Sequence, residues 1–207
     1  MKNAARFWDK VANRYAKLPI KNMAAYHDTL ARTKRHFSQQ DTALELGCGT
    51  GSTALLLAPD IGTLTATDIS KNMIGIAQKK AADQKISNVK FLQTTLFDAR
   101  FEAGSFDVIL AFNLLHLLED PKAVIKRAHE LLKPHGRFIS KTVCTKEISP
   151  LWRCIIYVMQ RLGLAPGINP LMVTDVDAFF TGPAFKFLDT ETYPGTAPSR
   201  FIVVEKI

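Results

Sequence analysis

In the stretch Leu44-Glu45-Leu46-Gly47-Cys48-Gly49-Thr50-Gly51 an apolar run passes into three alternating glycines. Residues 42–46 predict a buried strand and residues 52–57 predict a helix, so the glycines fall at the turn between the two. Glycine permits a tight turn and lets the backbone approach a ligand closely. Taken alone, a glycine-rich turn is weak evidence, since many such turns are only loops.

A carboxylate follows the next apolar run. Asp68 stands 21 residues after Gly47, directly after Leu64-Thr65-Ala66-Thr67. In dinucleotide-binding folds a carboxylate at the end of the second strand accepts hydrogen bonds from both ribose hydroxyls. The Gly-x-Gly-x-Gly spacing does not favour a pyrophosphate, and neither does Glu45, whose carboxylate would repel one. Both details suit a ligand with a cationic amine.

The rest of the chain alternates short apolar runs with helical stretches, a pattern typical of a parallel sheet covered by helices. Further strands are predicted at 62–67, 89–93, 106–112, 137–143, 185–190 and 201–205. Further helices are predicted at 3–17, 21–37, 71–83, 122–132, 151–159 and 175–180. We therefore expect one α/β domain with a doubly wound, mostly parallel, seven-stranded sheet. Its expected parts are N-terminal helices (1–40), a cofactor-binding core (41–147), a helical substrate cover (148–182) and closing strands (183–207).

Composition limits the classes of protein. The chain has 207 residues, of which 47% are hydrophobic and 22% charged, enough for one substantial core. Its longest apolar runs are much shorter than the roughly 20 residues of a membrane-spanning helix. The first residues show no apolar segment of the secretory type, so we expect a cytoplasmic protein. Cys48, Cys144 and Cys154 lack the spacing of zinc sites and disulfide frameworks, and no metal site is predicted.

The positive charge is concentrated at the amino-terminal end. Residues 1–40 hold nine Lys or Arg against two Asp, a net charge of +7, whereas residues 41–207 carry only +1. In the first predicted helix the basic residues form a stripe opposite the aromatic and aliphatic ones. Such a segment suits nucleic acid, an anionic membrane surface or an acidic substrate, and charge alone does not choose among them.

In this order along the chain, the segments resemble the class I S-adenosylmethionine-dependent methyltransferases, particularly the branch with quinone-biosynthesis and small-molecule enzymes. The resemblance runs from about Phe7 to Val143. It rests on Phe7-Trp8-Asp9-Lys10-Val11-Ala12-Asn13-Arg14-Tyr15, the glycine turn, Asp68, Ser105 to Ile109, Leu115-His116 and Leu131 to Arg137. It implies a Rossmann-like methyltransferase fold with S-adenosylmethionine as the cofactor.

The resemblance also implies a role for each matching residue. Gly47 and Gly49, in one turn with Cys48 and Gly51, would pass beneath the methionine part of the cofactor. Glu45 would face its amino group. Asp68 would hold the ribose hydroxyls, and Ile69 would lie against the adenine ring.

One segment departs from the family. After Val89-Lys90-Phe91-Leu92-Gln93 the family usually has Gly-Asp-Ala, whereas this chain has Thr94-Thr95-Leu96. The Thr95 hydroxyl is expected to accept the hydrogen bond from the adenine amino group, and the Leu96 N–H to reach the ring. Without a charged partner this interaction should be weaker.

The acceptor site is harder to predict, because methyl transfer from a sulfonium needs mainly alignment and exclusion of water. His116 is either a general base or a packed histidine. By the resemblance, Tyr15 is expected near the methyl-transfer cleft. Phe112 and Asn113 are candidates for lining it.

The predicted acceptor is a small lipophilic molecule or a lipid headgroup. The apolar helix at 151–159 is expected to cover the substrate, to pack at the sheet edge or to form a homodimer interface. The basic first helix suits a peripheral contact with anionic membrane. Two alternatives stay open, an RNA or protein methyltransferase and a noncatalytic cofactor-binding regulator. Nucleic acid is the less favoured partner, because Ala111-Phe112-Asn113-Leu114 stands where base methyltransferases carry their proline-containing loops.

Overall fold

The computed structural model describes residues 2–20, 22–161 and 164–207, and Lys21, which begins the second predicted helix, lies outside them. The helices are α1 (Lys2–Tyr15), α2 (Met23–Lys34), α3 (Ser52–Leu57), α4 (Lys71–Asp83), α5 (Pro121–Leu131), α6 (Pro150–Arg161) and α7 (Val173–Ala178). The strands are β1 (Thr42–Leu46), β2 (Thr63–Asp68), β3 (Val89–Gln93), β4 (Phe106–Phe112), β5 (Leu132–Val143), β6 (Phe185–Tyr193) and β7 (Ser199–Lys206).

The seven strands form one sheet in the order β3-β2-β1-β4-β5-β7-β6. Strands β1 to β5 pair in parallel, and β7 runs antiparallel to both of its neighbours. The sheet is therefore mostly parallel and doubly wound, as the sequence predicts. Its order reverses between β1 and β4, and ligands of such sheets bind at that switch point, beyond the carboxyl ends of the strands.

Each face of the sheet has its own apolar core, because successive side chains of a strand point to opposite faces. In β1, Leu44 and Leu46 pack on one face with residues of α5 and α7. Ala43 packs on the other face with residues of α3 and α4. Because both faces of the sheet are covered, a ligand approaches it at the ends of the strands, and in such sheets it binds at the carboxyl ends.

The start of β5 differs from the prediction. The sequence Lys133-Pro134-His135-Gly136 predicts a stop between α5 and a strand at 137–143, yet β5 already begins at Leu132. Leu132 pairs with Phe106 and Arg137 with Val108, so the residues between them form a bulge. His135 takes a positive φ of 61° there, which lets the chain leave and rejoin the ladder.

Two sets of polar contacts hold the N-terminal helices on the sheet. The Asp9 carboxylate in α1 accepts hydrogen bonds from the Ser70 hydroxyl (2.6 Å) and the Asn72 N–H (3.0 Å) at the start of α4. In α2, the Arg32 guanidinium pairs with Asp189 (2.9 Å) and Glu191 (2.6 Å) of β6. Helix α1 is thereby fixed to the start of α4, and helix α2 to the edge strand β6.

Candidate functional site

A cavity of about 800 Å³ opens at the carboxyl ends of β1, β2 and β4, and α1 with the loop after it forms its outer wall. This volume lies in the range typical of small-molecule and cofactor sites. Eleven candidate site residues named from the sequence line it: Tyr15, Glu45, Gly47, Cys48, Gly49, Asp68, Ile69, Thr95, Leu96, Phe112 and Asn113.

Two glycines of the turn after β1 shape the floor of the cavity. Gly47 and Gly49 have positive φ angles of 64° and 53°, which side-chain-bearing residues rarely adopt. A Cβ atom on Gly47 would lie 2.8 Å from Leu114. A Cβ atom on Gly49 would meet only Tyr15, at 3.9 Å, so the space above this residue is open to a ligand.

Gly51 is expected from the sequence to contact the cofactor, but in the structure it packs against protein atoms. It does not belong to the described lining of the cavity. A Cβ atom there would lie 2.7 Å from the Cβ of Ala77 in α4 and 2.8 Å from the ring of Phe91 in β3. With its φ of 74°, Gly51 permits close packing of the turn against its neighbours and has no contact with the ligand space.

Asp68 ends β2 and braces the same turn. One carboxylate oxygen accepts a hydrogen bond from the Gly49 N–H (2.9 Å), and the other accepts one from the Ser70 N–H (2.8 Å). A carboxylate offers about four acceptor positions, so two remain for the hydroxyls of a ribose. Burial raises the pKa of Asp68, and the backbone N–H groups of Ser70, Gly49 and Ile69 act in the opposite direction.

Glu45 is the buried acid of the site. Its side chain is 2% exposed, and its Oε2 atom has no hydrogen-bond partner among the described residues. Burial, followed by the nearby charge of Asp68, raises the pKa of Glu45 to about 8. An unpartnered carboxyl beside a cavity is suited to receive an ammonium group, so Glu45, Asp68 and the open space at Gly49 together fit S-adenosylmethionine.

The segment after β3 forms the expected adenine side. Thr94, Thr95 and Leu96 line the cavity. Thr94 donates its hydroxyl proton to Asp98 (2.6 Å), while the Thr95 hydroxyl oxygen accepts a weak hydrogen bond from the Phe97 N–H (3.3 Å). Asp98 lies outside the described lining and therefore does not replace the missing family carboxylate.

Tyr15 lies where the resemblance places it, at the cavity. Its ring is 44% exposed and meets the ring of Trp8 edge to face, with 5.9 Å between centroids. Burial raises the pKa of Tyr15 above its usual value of 10.0, so the phenol is neutral at pH 7. The sequence reasoning did not assign Trp8, Tyr26 or Thr53 to the site; Tyr26 and Thr53 are joined there by a 3.2 Å hydrogen bond between their hydroxyls.

His116 does not line the cavity, where a general base would have to lie. Its side chain is 8% exposed, does not belong to the described lining, and has an Nδ1 atom without a hydrogen-bond partner among the described residues. Burial lowers the pKa of His116 to about 4, which leaves it neutral and weakly basic at pH 7. Its backbone carbonyl accepts a hydrogen bond from the Asn169 N–H (2.7 Å). The structure therefore favours the packed histidine over the base.

The segment 148–182 does not cover the cavity in the described structure. None of its described residues lines the space, and Leu162 and Gly163 lie outside them. The chain after α6 returns to the core through Leu171, whose carbonyl accepts a hydrogen bond from the Lys146 N–H (3.0 Å). Helix α6 keeps Trp152 and Tyr157 more than half exposed. The cover of the cavity comes from the amino-terminal helices.

Neither a metal centre nor a membrane-spanning helix is found among the described residues. No group of three His, Cys, Asp or Glu side chains is arranged to hold a metal ion there. Within the same residues, no helix has the length and apolar character needed to cross a bilayer.

A doubly wound sheet with a lined cavity at its switch point is the architecture of an α/β protein that binds a nucleotide-like cofactor. Over residues 37–160 the chain matches a family described as a methyltransferase domain, and it therefore belongs to this family. The resemblance seen in the sequence is confirmed, and S-adenosylmethionine is the cofactor of these enzymes.

Two curated relatives illustrate the similarity. The chain is 35% identical over 99 residues to demethylmenaquinone methyltransferase of Lactococcus lactis, covering 46% of this chain and 39% of that protein. It is 30% identical over 159 residues to malonyl-[acyl-carrier protein] O-methyltransferase of Priestia megaterium, covering 72% and 54%. The chain thus spans less than two thirds of the length of either relative.

A solved structure shows the same fold. Geranyl diphosphate C-methyltransferase from Streptomyces coelicolor, in complex with Mg²⁺, geranyl diphosphate and S-adenosyl-L-homocysteine, superposes with a TM-score of 0.77. The alignment covers 100% of this chain and 97% of that one at 12% identity. The predicted Rossmann-like methyltransferase fold is confirmed.

Proposed function

We propose that this protein transfers the methyl group of S-adenosylmethionine to a small lipophilic acceptor. The observation that carries the proposal is a cavity whose lining combines carboxyl groups with apolar side chains. Glu45 and Asp68 provide buried or half-buried carboxyl groups. Trp8, Leu117 and Leu118 are among the apolar side chains. A charged cofactor and an apolar acceptor would each find matching chemistry there.

The residues act mainly by holding and aligning. S-adenosylmethionine supplies an electrophilic methyl group on a sulfonium when it is bound. Glu45 would pair with its ammonium group, and Asp68 would accept hydrogen bonds from its ribose hydroxyls. Tyr15 and Trp8 on α1 would exclude water from the methyl group, which favours transfer over hydrolysis.

Two curated relatives support a small acceptor. One is named for demethylmenaquinone and the other for malonyl-[acyl-carrier protein]. The acceptors in these names are small molecules or small groups, in keeping with a cavity of about 800 Å³.

Methyl-labelled S-adenosylmethionine tests the proposal. The protein is incubated with the label and a whole-cell extract, and label is counted in the lipid, aqueous small-molecule, protein and nucleic-acid fractions while S-adenosylhomocysteine is measured. We expect label in the lipid fraction. Label in protein or nucleic acid would contradict the proposed acceptor, and cofactor binding without S-adenosylhomocysteine would identify a noncatalytic binder.

Two variants make this experiment specific for the site. Asp68→Ala should weaken cofactor binding by about 1–3 kcal/mol, because hydrogen bonds to a charged group are lost. Asp83→Ala is the matched control, since Asp83 is an exposed aspartate outside the lining of the cavity. Equal affinities of the two variants in calorimetry would contradict the role of Asp68.

A further inference from the structure

Exposed aliphatic side chains lie where α1 passes into α2, at the mouth of the cavity. Leu18, Ile20 and Met23 are 57%, 44% and 47% exposed. Leu18 and Ile20 also line the cavity, so the exposed group is continuous with its opening. Grouped apolar side chains on a protein surface commonly mark a site of interaction.

A row of cations leads to these side chains. Lys10, Arg14 and Lys17 follow at helical spacing, and the Lys17 N–H donates to the Arg14 carbonyl (3.1 Å), so the last turn of α1 extends to them. All three are exposed and form no ion pair with any described residue. By contrast, Arg32 and Lys34 in α2 are paired with carboxylates of the same chain.

We propose that this docking face, formed by Lys10, Arg14, Lys17, Leu18, Ile20 and Met23, binds the surface of an anionic lipid bilayer. The charge is complementary, because residues 1–40 carry +7 of the net charge of +8. Basic side chains bind the anionic headgroups while the aliphatic ones enter the interface. The proposal deepens the proposed function, since the bound orientation turns the cavity mouth toward a lipophilic acceptor.

The same face is less suited to nucleic acid. Single-stranded nucleic acid is bound on exposed aromatic rings that stack on bases. The aromatic residues Phe7 and Trp8 of α1 are partly buried and face each other edge to face, with 5.2 Å between centroids. Tyr15 is also exposed beside the cations, but its ring packs edge to face on Trp8 at the cavity. The other exposed apolar side chains there, Leu18, Ile20 and Met23, are aliphatic, which favours lipid.

Vesicle sedimentation tests the proposal with the full chain. The probes are vesicles of phosphatidylcholine mixed with phosphatidylserine and vesicles of phosphatidylcholine alone. We expect binding only to the mixed vesicles, and weaker binding as salt is added. The variant Lys10→Gln/Arg14→Gln/Lys17→Gln should reduce the partition coefficient about 100-fold, from roughly fivefold per cation. Met23→Ser should reduce it further without touching the lining of the cavity.

The matched control is Lys90→Gln/Lys126→Gln/Lys186→Gln, which removes the same charge from exposed positions on β3, α5 and β6. It should bind the mixed vesicles nearly as well as the parent protein. Equal losses in the two triple variants would overturn the docking face, as would equal binding to both kinds of vesicle. Binding of a single-stranded RNA oligonucleotide by a protein that ignores vesicles would overturn it in favour of nucleic acid.

Measuring label transfer from methyl-labelled S-adenosylmethionine and vesicle sedimentation on the same protein preparations separates the two proposals. Protein that produces labelled lipid but does not sediment with vesicles retains the proposed function and contradicts the docking face. Protein that sediments but forms no methylated product contradicts the proposed function alone.

Discussion

Glu45 shows how burial sets the charge of one side chain. Its ordinary pKa is 4.5 and its pKa in the fold is about 8, so with no cation beside it Glu45 is a neutral acid at pH 7. In the unfolded chain the same group is ionised above about pH 4.5. The folded state therefore retains a proton that the unfolded state has lost, and the stability due to Glu45 declines as pH rises toward 8.

Cofactor binding should reverse this protonation. An ammonium group next to Glu45 favours the carboxylate, so binding of S-adenosylmethionine at pH 7 is expected to release up to about one proton. Calorimetry in two buffers of different ionisation enthalpy measures this number. Glu45→Gln is the control, since it should bind more weakly and release almost no proton. Equal proton release by the parent and by Glu45→Gln would contradict the assignment.

For His116 we expect the opposite pH dependence, a loss of folding stability in acid. Its pKa of about 4 lies below its ordinary value of 6.5, so between these values the unfolded chain binds a proton that the folded protein excludes. Stability is therefore lost as pH falls through this window, by about 1–3 kcal/mol. His116→Gln should lose less stability than the parent between pH 7 and pH 5, measured by urea unfolding. The control is His27→Gln, at an exposed position.

Turnover distinguishes the packed histidine from a base. Because His116 lies outside the described lining, His116→Gln should keep the methyl-transfer rate of the parent at pH 7. A general base would contribute about 10²-fold or more. A loss of that size in a stably folded variant would restore the catalytic role.

In the turn between β1 and α3, two glycines have different roles. Gly51 permits close packing on protein atoms, and Gly49 leaves space for a ligand. Gly51→Ala should destabilise the protein by about 2–4 kcal/mol, because the new methyl group would overlap Ala77 and Phe91 at a strained φ. Gly49→Ala should cost only about 1–2 kcal/mol, the strain of its positive φ, but it fills ligand space and should lower cofactor affinity at least about tenfold. Urea unfolding and calorimetry of both variants check this. Equal affinity losses would contradict the separation.

Elements with a strong local pattern were predicted well. The bounds of β1, β3, β4, α3 and α4 agree with the sequence prediction, because apolar periodicity and turn residues coincide there. The early start of β5 was not predictable, since pairing of Leu132 with Phe106 depends on the neighbouring strand. The prediction that residues 148–182 cover the substrate came from their position along the chain. Their apolar pattern does not show that the segment after α6 returns to the core beside His116.

At the scale of the whole molecule, Arg32 joins distant parts of the chain. Its guanidinium binds Asp28, Asp189 and Glu191 at 2.6–2.9 Å and is 22% exposed. Arg32→Gln leaves three neighbouring carboxylates without their cation and should destabilise the protein by about 2–3 kcal/mol in urea unfolding. Lys79→Gln is the control, because its exposed pair with Asp83 should contribute at most about 1 kcal/mol. Equal effects would contradict the bridging role.

The candidate site was predictable where one motif carries it. The glycine turn, Glu45 and Asp68 follow from spacing in a short stretch, and the structure brings them to one cavity. Trp8, Tyr26 and Leu117 reach the same cavity from α1, α2 and the turn before α5, which only tertiary packing brings together. Gly51 shows the limit of a motif, because its spacing fits a ligand role while its neighbours are protein atoms.

The ion pairs of Arg32 also set an order of events on the ribosome. Asp189 and Glu191 follow Arg32 by 157 and 159 residues, so α2 is synthesised well before these partners. A nascent chain that has emerged only as far as β5 already contains the glycine turn and Asp68, yet it lacks the strand that anchors α2. The part of the cover that α2 supplies is therefore anchored only after β6 has been made, later than the central parallel strands and later than the contacts of α1 with α4.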